Sequence, residues 1–85
     1  MGRKLSETLQ YAMNRKAGTL SGDVPTLDAQ GAANVWAGTT GLALVGALNV
    51  KAGNALPEYR DLQGVLNQLA GTSGLAVDGA AAMIP

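Results

Sequence analysis

The sequence predicts an all-α protein, five short repeated helices packed as a small bundle or short solenoid. Three observations carry that expectation. The dipeptides Ala17-Gly18, Ala37-Gly38, Ala52-Gly53 and Ala70-Gly71 each follow an Asn by three residues, which marks an internal repeat. Within each unit apolar residues return at i, i+3, i+4, i+7 and i+8, one face of a helix. Carboxylates gather at the starts of these segments and Lys or Arg at their ends, as the helix dipole favours.

Reading outward from the Ala-Gly steps gives ETLQYAMNRKAG, LDAQGAANVWAG, LALVGALNVKAG, RDLQGVLNQLAG and a shortened LAVDGAAAMIP, starting at residues 7, 27, 42, 60 and 75. Two intervals are fifteen residues. The longer ones, twenty and eighteen, hold the proline segments SGDVP and NALPEY. A period of fifteen is too short for a helix pair, so each unit is one helix and a turn, and residues 1–85 form a single helical-repeat domain.

The first unit offers the stripe Leu9, Ala12, Met13, Lys16 and Ala17, and the second Ala29, Ala32, Ala33, Trp36 and Ala37. The third repeats it at Leu44, Ala47, Leu48, Lys51 and Ala52, the fourth at Leu62, Val65, Leu66, Leu69 and Ala70, and the fifth at Val77, Ala80, Ala81 and Ile84. Ser6, Thr26, Thr40 and Ser73 are placed to act as N-caps, and Pro57 suits a first turn. Glu7, Asp28, Glu58 and Asp61 fall in first turns, Arg15, Lys16 and Lys51 in last turns, and the Gly after each Ala is a left-handed stop.

Two further positions recur. Gly31, Gly46, Gly64 and Gly79 sit mid-helix, where each Gly costs about 1 kcal/mol relative to Ala. Such a recurrence points to close backbone approach between helices, with a larger side chain expected to overpack the contact. Asn14, Asn34, Asn49 and Asn67 lie beside the stripe one turn before each helix end. Their amides are placed to satisfy the backbone of the following turn, with solvent-facing and partner-facing roles as the alternatives.

Composition narrows the chemistry. The chain has no Cys and no His, and six basic and six acidic residues cancel. No nucleophile–base constellation, paired acid and base, phosphate loop or metal-ligand cluster is visible, so we expect no enzyme activity, no cofactor and no metal. Zero net charge argues against nucleic acid as a partner. Residues 29–50 carry no charge, yet Gln30, Asn34, Thr39, Thr40 and Asn49 interrupt them and the Gly38 to Gly41 break divides them, which makes a membrane span unexpected. Met1, Gly2 and Ser6 match the short myristoylation pattern, and no secretory signal is visible. The core is thin, with no Phe, one Trp and two Tyr. A partner or a homo-oligomer is therefore expected to supply stability.

Two features are candidate partner contacts. Trp36 occupies a stripe position that is Lys or aliphatic in the other units, at the edge of the buried face, and fits either an interface anchor or the one large aromatic of the core. Arg3, Lys4, Arg15 and Lys16 stand against a single Glu7, either as a solvated end or as a docking patch for an acidic surface.

The strings NVWAGTTGLALVGALNVKAG and VLNQLAGTSGLAVDGAAA resemble short repeats in virion proteins of tailed phages that infect actinobacteria, where segments of the form LNxxAGTTGL recur. The resemblance covers residues 27–82. The first unit departs from it, with Tyr11 at the repeated Gly and TLSGDVPT in place of TTGL. It implies a non-enzymatic virion protein assembled in the host cytoplasm, a small capsid-associated decoration or minor capsid (cementing) protein held by the major capsid protein or another virion protein. The alternatives are a phage tail component, or a small helical adaptor or membrane-associated protein.

Overall fold

In a computed structural model the described residues are 8–85, and the structure is mostly helical. The helices are α1 (Leu9–Ala17), α2 (Ala29–Ala37), α3 (Leu44–Ala52), α4 (Leu62–Ala70) and α5 (Val77–Ala82). Each begins two residues after the unit start read from the sequence. Four of them end alike: Gly18, Gly38, Gly53 and Gly71 adopt φ of 73 to 83°, the left-handed stop that only Gly takes without strain. The next N–H closes the cap, as when Thr19 N–H donates to the Asn14 carbonyl at 2.9 Å and Thr72 N–H to that of Asn67 at 3.0 Å.

The N-termini differ from expectation. Thr8, Asp28 and Asp61 are the side-chain caps, accepting from the N–H of Tyr11, Gly31 and Gly64, while α3 and α5 start at Ala43 and Ala76 with no side-chain cap. Thr26, Thr40 and Ser73 thus lie upstream of the caps, and Asp28 and Asp61 precede the first turn. A carboxylate reaching the N3 amide satisfies an orphan donor and meets the positive helix end, which a hydroxyl two or three residues before the cap cannot do. Pro57, expected in a first turn, follows a cis peptide bond in the loop before α4, and Glu58 lies in that loop too. Ser6, Glu7, Arg3 and Lys4 lie outside the described residues.

All-α needs one amendment. The segment between α1 and α2 folds as a two-stranded antiparallel ribbon, β1 (Leu20–Ser21) and β2 (Val24–Pro25), with Leu20 opposite Pro25 and Ser21 opposite Val24. Gly22, at φ 62°, makes the tight reversal that the pairing requires.

Helix order is cyclic. α1 packs on α2, α2 on α3, α3 on α4, α4 on α5 and α5 back on α1, and no other helix pair packs among the described residues. The stack therefore closes on itself, whereas a linear solenoid leaves two helices each with one bare side. Two residues per helix face inward: Ala12 and Met13, Ala32 and Ala33, Ala47 and Leu48, Val65 and Leu66, Ala80 and Ala81, joined by Ile84. Leu9, Ala29, Leu44, Leu62 and Val77, with Trp36 and Leu69, are only partly buried around this centre. Six of the ten paired core residues are Ala because five short helices converge on one small core, where bulk at every position would overfill it.

Candidate functional site

The most regular polar feature is a clamp made by the repeated Asn. Each of Asn14, Asn34, Asn49 and Asn67 is at most 7% exposed, so these side chains belong to the core rather than its margin. The amide Nδ2 of Asn34 donates to the Gln30 carbonyl, one turn back, and to the Leu42 carbonyl of the next unit, both at 2.9 Å. Its Oδ1 accepts from Leu42 N–H at 3.1 Å and from the Thr39 hydroxyl at 2.7 Å. One planar amide thus holds both main-chain groups of the residue just before the next cap. Asn14 does the same to Leu27, Asn49 to Arg60 and Asn67 to Leu75. All four hydrogen-bonding valences of each amide are used, which makes burial of so polar a group affordable.

Sequence reasoning missed the accessory residues. Gln10, Gln30 and Gln63 donate from Nε2 to the same carbonyls of Leu27, Leu42 and Leu75 that the Asn grips. Thr19, Thr39 and Thr72 brace Oδ1 from the turn, and Asn54 takes that place in the third unit while also exchanging hydrogen bonds with Gln68. Both sets recur at fixed positions in the repeat and were therefore readable as a pattern, although their target was not.

The clamp also explains the uneven spacing. The link from the bracing residue to the gripped residue is Thr40 and Gly41 in the second unit and Ser73 and Gly74 in the fourth. In the first it widens to the β1–β2 ribbon, whose base is pinned where Thr26 N–H and hydroxyl both reach the Thr19 carbonyl. In the third it widens to the loop from Ala55 to Tyr59. The extra residues of the first and third units are confined to this link, and the Asn grip is the same in all four units.

The mid-helix glycines do not mediate close approach between helices. A Cβ on Gly31 or Gly64 would meet its own unit's cap, Asp28 Oδ1 at 3.0 Å or Asp61 Oδ1 at 2.9 Å. At Gly46 and Gly79 the nearest atom would be a Leu Cβ of the same unit, Leu42 at 3.9 Å and Leu75 at 4.0 Å, ordinary contact. Gly therefore makes room for the carboxylate cap in two units, and the structure gives no packing reason for it in the other two.

The ring closes by different chemistry, since the fifth unit has Asp78 at the Gln position and Ala82 at the Asn position. Asp78 Oδ1 accepts from Leu9 N–H at 3.0 Å, at the positive end of α1. At the other end of that helix Arg15 donates to the Ile84 carbonyl and Lys16 to the Pro85 main-chain oxygen, each at 2.6 Å. Arg15 and Lys16 thus join α1 to α5 as well as carrying charge.

Lys16 also reaches Trp36. Its Nζ lies 5.6 Å from the ring centroid, and Lys51 Nζ, from the opposite side of α2, lies 5.2 Å away. Trp36 is half-buried against the core and flanked by two ammonium groups. The structure brings Trp36, Lys16 and Lys51 together, with Arg15 next in sequence to Lys16. Equivalence of positions 16, 36 and 51 in the repeat was the signal that neighbouring units would place them side by side.

Two open clefts of ≈ 530 Å³ lie at equivalent places in the second and fourth units. The Asp cap, the Gln and the Asn that line each of them already hold the repeat together. Among the described residues no three His, Cys, Asp or Glu side chains come together as a metal site, and no helix is long and apolar enough to cross a membrane. The chain matches none of the family models, curated proteins or solved structures with which it was compared.

Proposed function

We propose that the chain is a non-enzymatic structural protein of a phage virion, a small capsid-associated decoration or minor capsid (cementing) protein. The observation that carries this is how the recurring polar side chains are used. Asn and Gln join one unit to the next, Thr braces the Asn and Asp caps its own helix, which leaves a body with contact surfaces and, among the described residues, no set of groups poised for a reaction. The resemblance of residues 27–82 to repeats in actinobacterial phage virion proteins supports the same assignment. On it, the partner is the major capsid protein or another virion protein, neither nucleic acid nor membrane is bound, and Trp36 with the cations around it forms the contact. Burial of that surface on the particle supplies stability that the Ala-rich core lacks.

Mass spectrometry of purified particles tests the assignment. A fixed stoichiometric copy number in intact virions is expected, and labelling of tail-less heads separates shell from tail. Recovery of the protein only in host membranes or free in the cytoplasm would overturn it and favour a small helical adaptor.

A further inference from the structure

The cluster of Lys16, Trp36 and Lys51 has a geometry that selects its ligand. The two lysines come from α1 and α3, which are not neighbours in the ring, and both place Nζ within 6 Å of one indole centroid. Attraction to the ring quadrupole favours both ammonium groups at the indole. Every side-chain carboxylate among the described residues lies elsewhere: Asp28 and Asp61 at N-caps, Asp78 on α1's first amide, Asp23 and Glu58 in the two long links. Lys51 is exposed and has no carboxylate partner among the described residues. One of Lys16's three donors is taken by Pro85, which leaves two.

We propose that this cluster is the docking point for an acidic segment of a partner protein, whose carboxylates bridge the two ammonium groups. The proposal names the chemistry of the contact in the function proposed above. Ligands that stack on an aromatic ring, nucleobases and sugars among them, compete for the ring with the two ammonium groups that already lie over it. A phosphate backbone also needs a longer basic track than a chain of zero net charge provides. Carboxylates need only ammonium donors held in place, and the indole restrains these two before the partner arrives.

Trp36 is the sole Trp, so its fluorescence reports on this site alone. The test titrates the isolated full chain with a short Glu-rich peptide, a Gln-rich peptide of equal length and a short oligothymidylate. We expect a saturable change in emission with the Glu-rich peptide only. For Lys51→Gln the peptide affinity should fall by about tenfold, and Lys51→Arg should restore it. An unchanged far-UV circular dichroism melt of Lys51→Gln shows that the loss is not unfolding. No response to the Glu-rich peptide, wild-type affinity in Lys51→Gln, or an equal response to oligothymidylate would overturn the proposal. So would an emission change with protein concentration alone, which identifies a second copy as occupant. Because the peptide assay needs no particle and the particle assay needs no peptide, failure of this proposal and failure of the virion assignment are separable.

Discussion

Replacing the mid-helix glycines by Ala separates two accounts of why they recur. If helices met at these positions, each substitution would overpack the contact and destabilise. The structure predicts a split. At Gly46 the new Cβ lies 3.9 Å from the Leu42 Cβ, so Ala fits and recovers helix propensity, a gain of about 0.5 to 1 kcal/mol. At Gly64 it would lie 2.9 Å from Asp61 Oδ1, the atom that accepts the Gly64 N–H at 2.7 Å. The carboxylate must move and weaken a cap worth about 1 kcal/mol, which cancels the gain or exceeds it. Gly79 should follow Gly46, and Gly31 should follow Gly64. Thermal unfolding by circular dichroism reads the difference, because in a domain of this size 1 kcal/mol shifts Tm by about 4 to 8 °C. A double-mutant cycle of Gly64→Ala with Asp61→Ala isolates the cause: without the carboxylate, Gly64→Ala should become stabilising. Gly46→Ala lowering Tm, or the cycle showing no coupling, would refute the reasoning.

The clamp and the closure make further predictions. Asn49→Ala removes a fully buried amide together with its four hydrogen bonds, two of them to the Arg60 main chain, and should cost about 2 to 4 kcal/mol in denaturant unfolding. Thr72→Val removes one bond to Asn67 Oδ1 while Leu75 N–H keeps the other, so its cost in the same assay should be near 1 kcal/mol. Arg15→Ala combined with Lys16→Ala should speed amide exchange in α5 and leave α3 protected, since the bonds to Ile84 and Pro85 lie at one junction; uniform deprotection would show that the ring opens only as a whole. Lengthening the link at Gly41 by two glycines should cost less than 1 kcal/mol by melting, because the clamp fixes both ends of a link that is already longer in two other units.

Much of the helical layout was legible because it depends on short-range chemistry. The Gly after each Ala could be placed as a left-handed stop from the residue type alone, and the apolar period located five helices to within two residues. Cap assignment failed because Thr26, Thr40 and Ser73 are good caps by type, and only the path of the chain shows that Asp28 and Asp61 stand one bond from the N3 amide. The ribbon was hidden for a related reason: two-residue strands carry no periodicity, and SGDVP signals a turn without saying what flanks it.

The sequence by itself determined the unit, its number and its polar inventory, since each follows from residues within one turn of each other. Only the tertiary structure decided what those residues hold. Each Asn was visible as a recurring amide, but its partners lie eight to thirteen residues ahead, at the start of a different helix, across links of unequal length. The cyclic order of helices depends on the angle accumulated from unit to unit, a sum of small rotations that no local pattern encodes. The meeting of Lys16 and Lys51 on Trp36 is a consequence of that stacking, because residues thirty-five positions apart become neighbours only when three units pack in register.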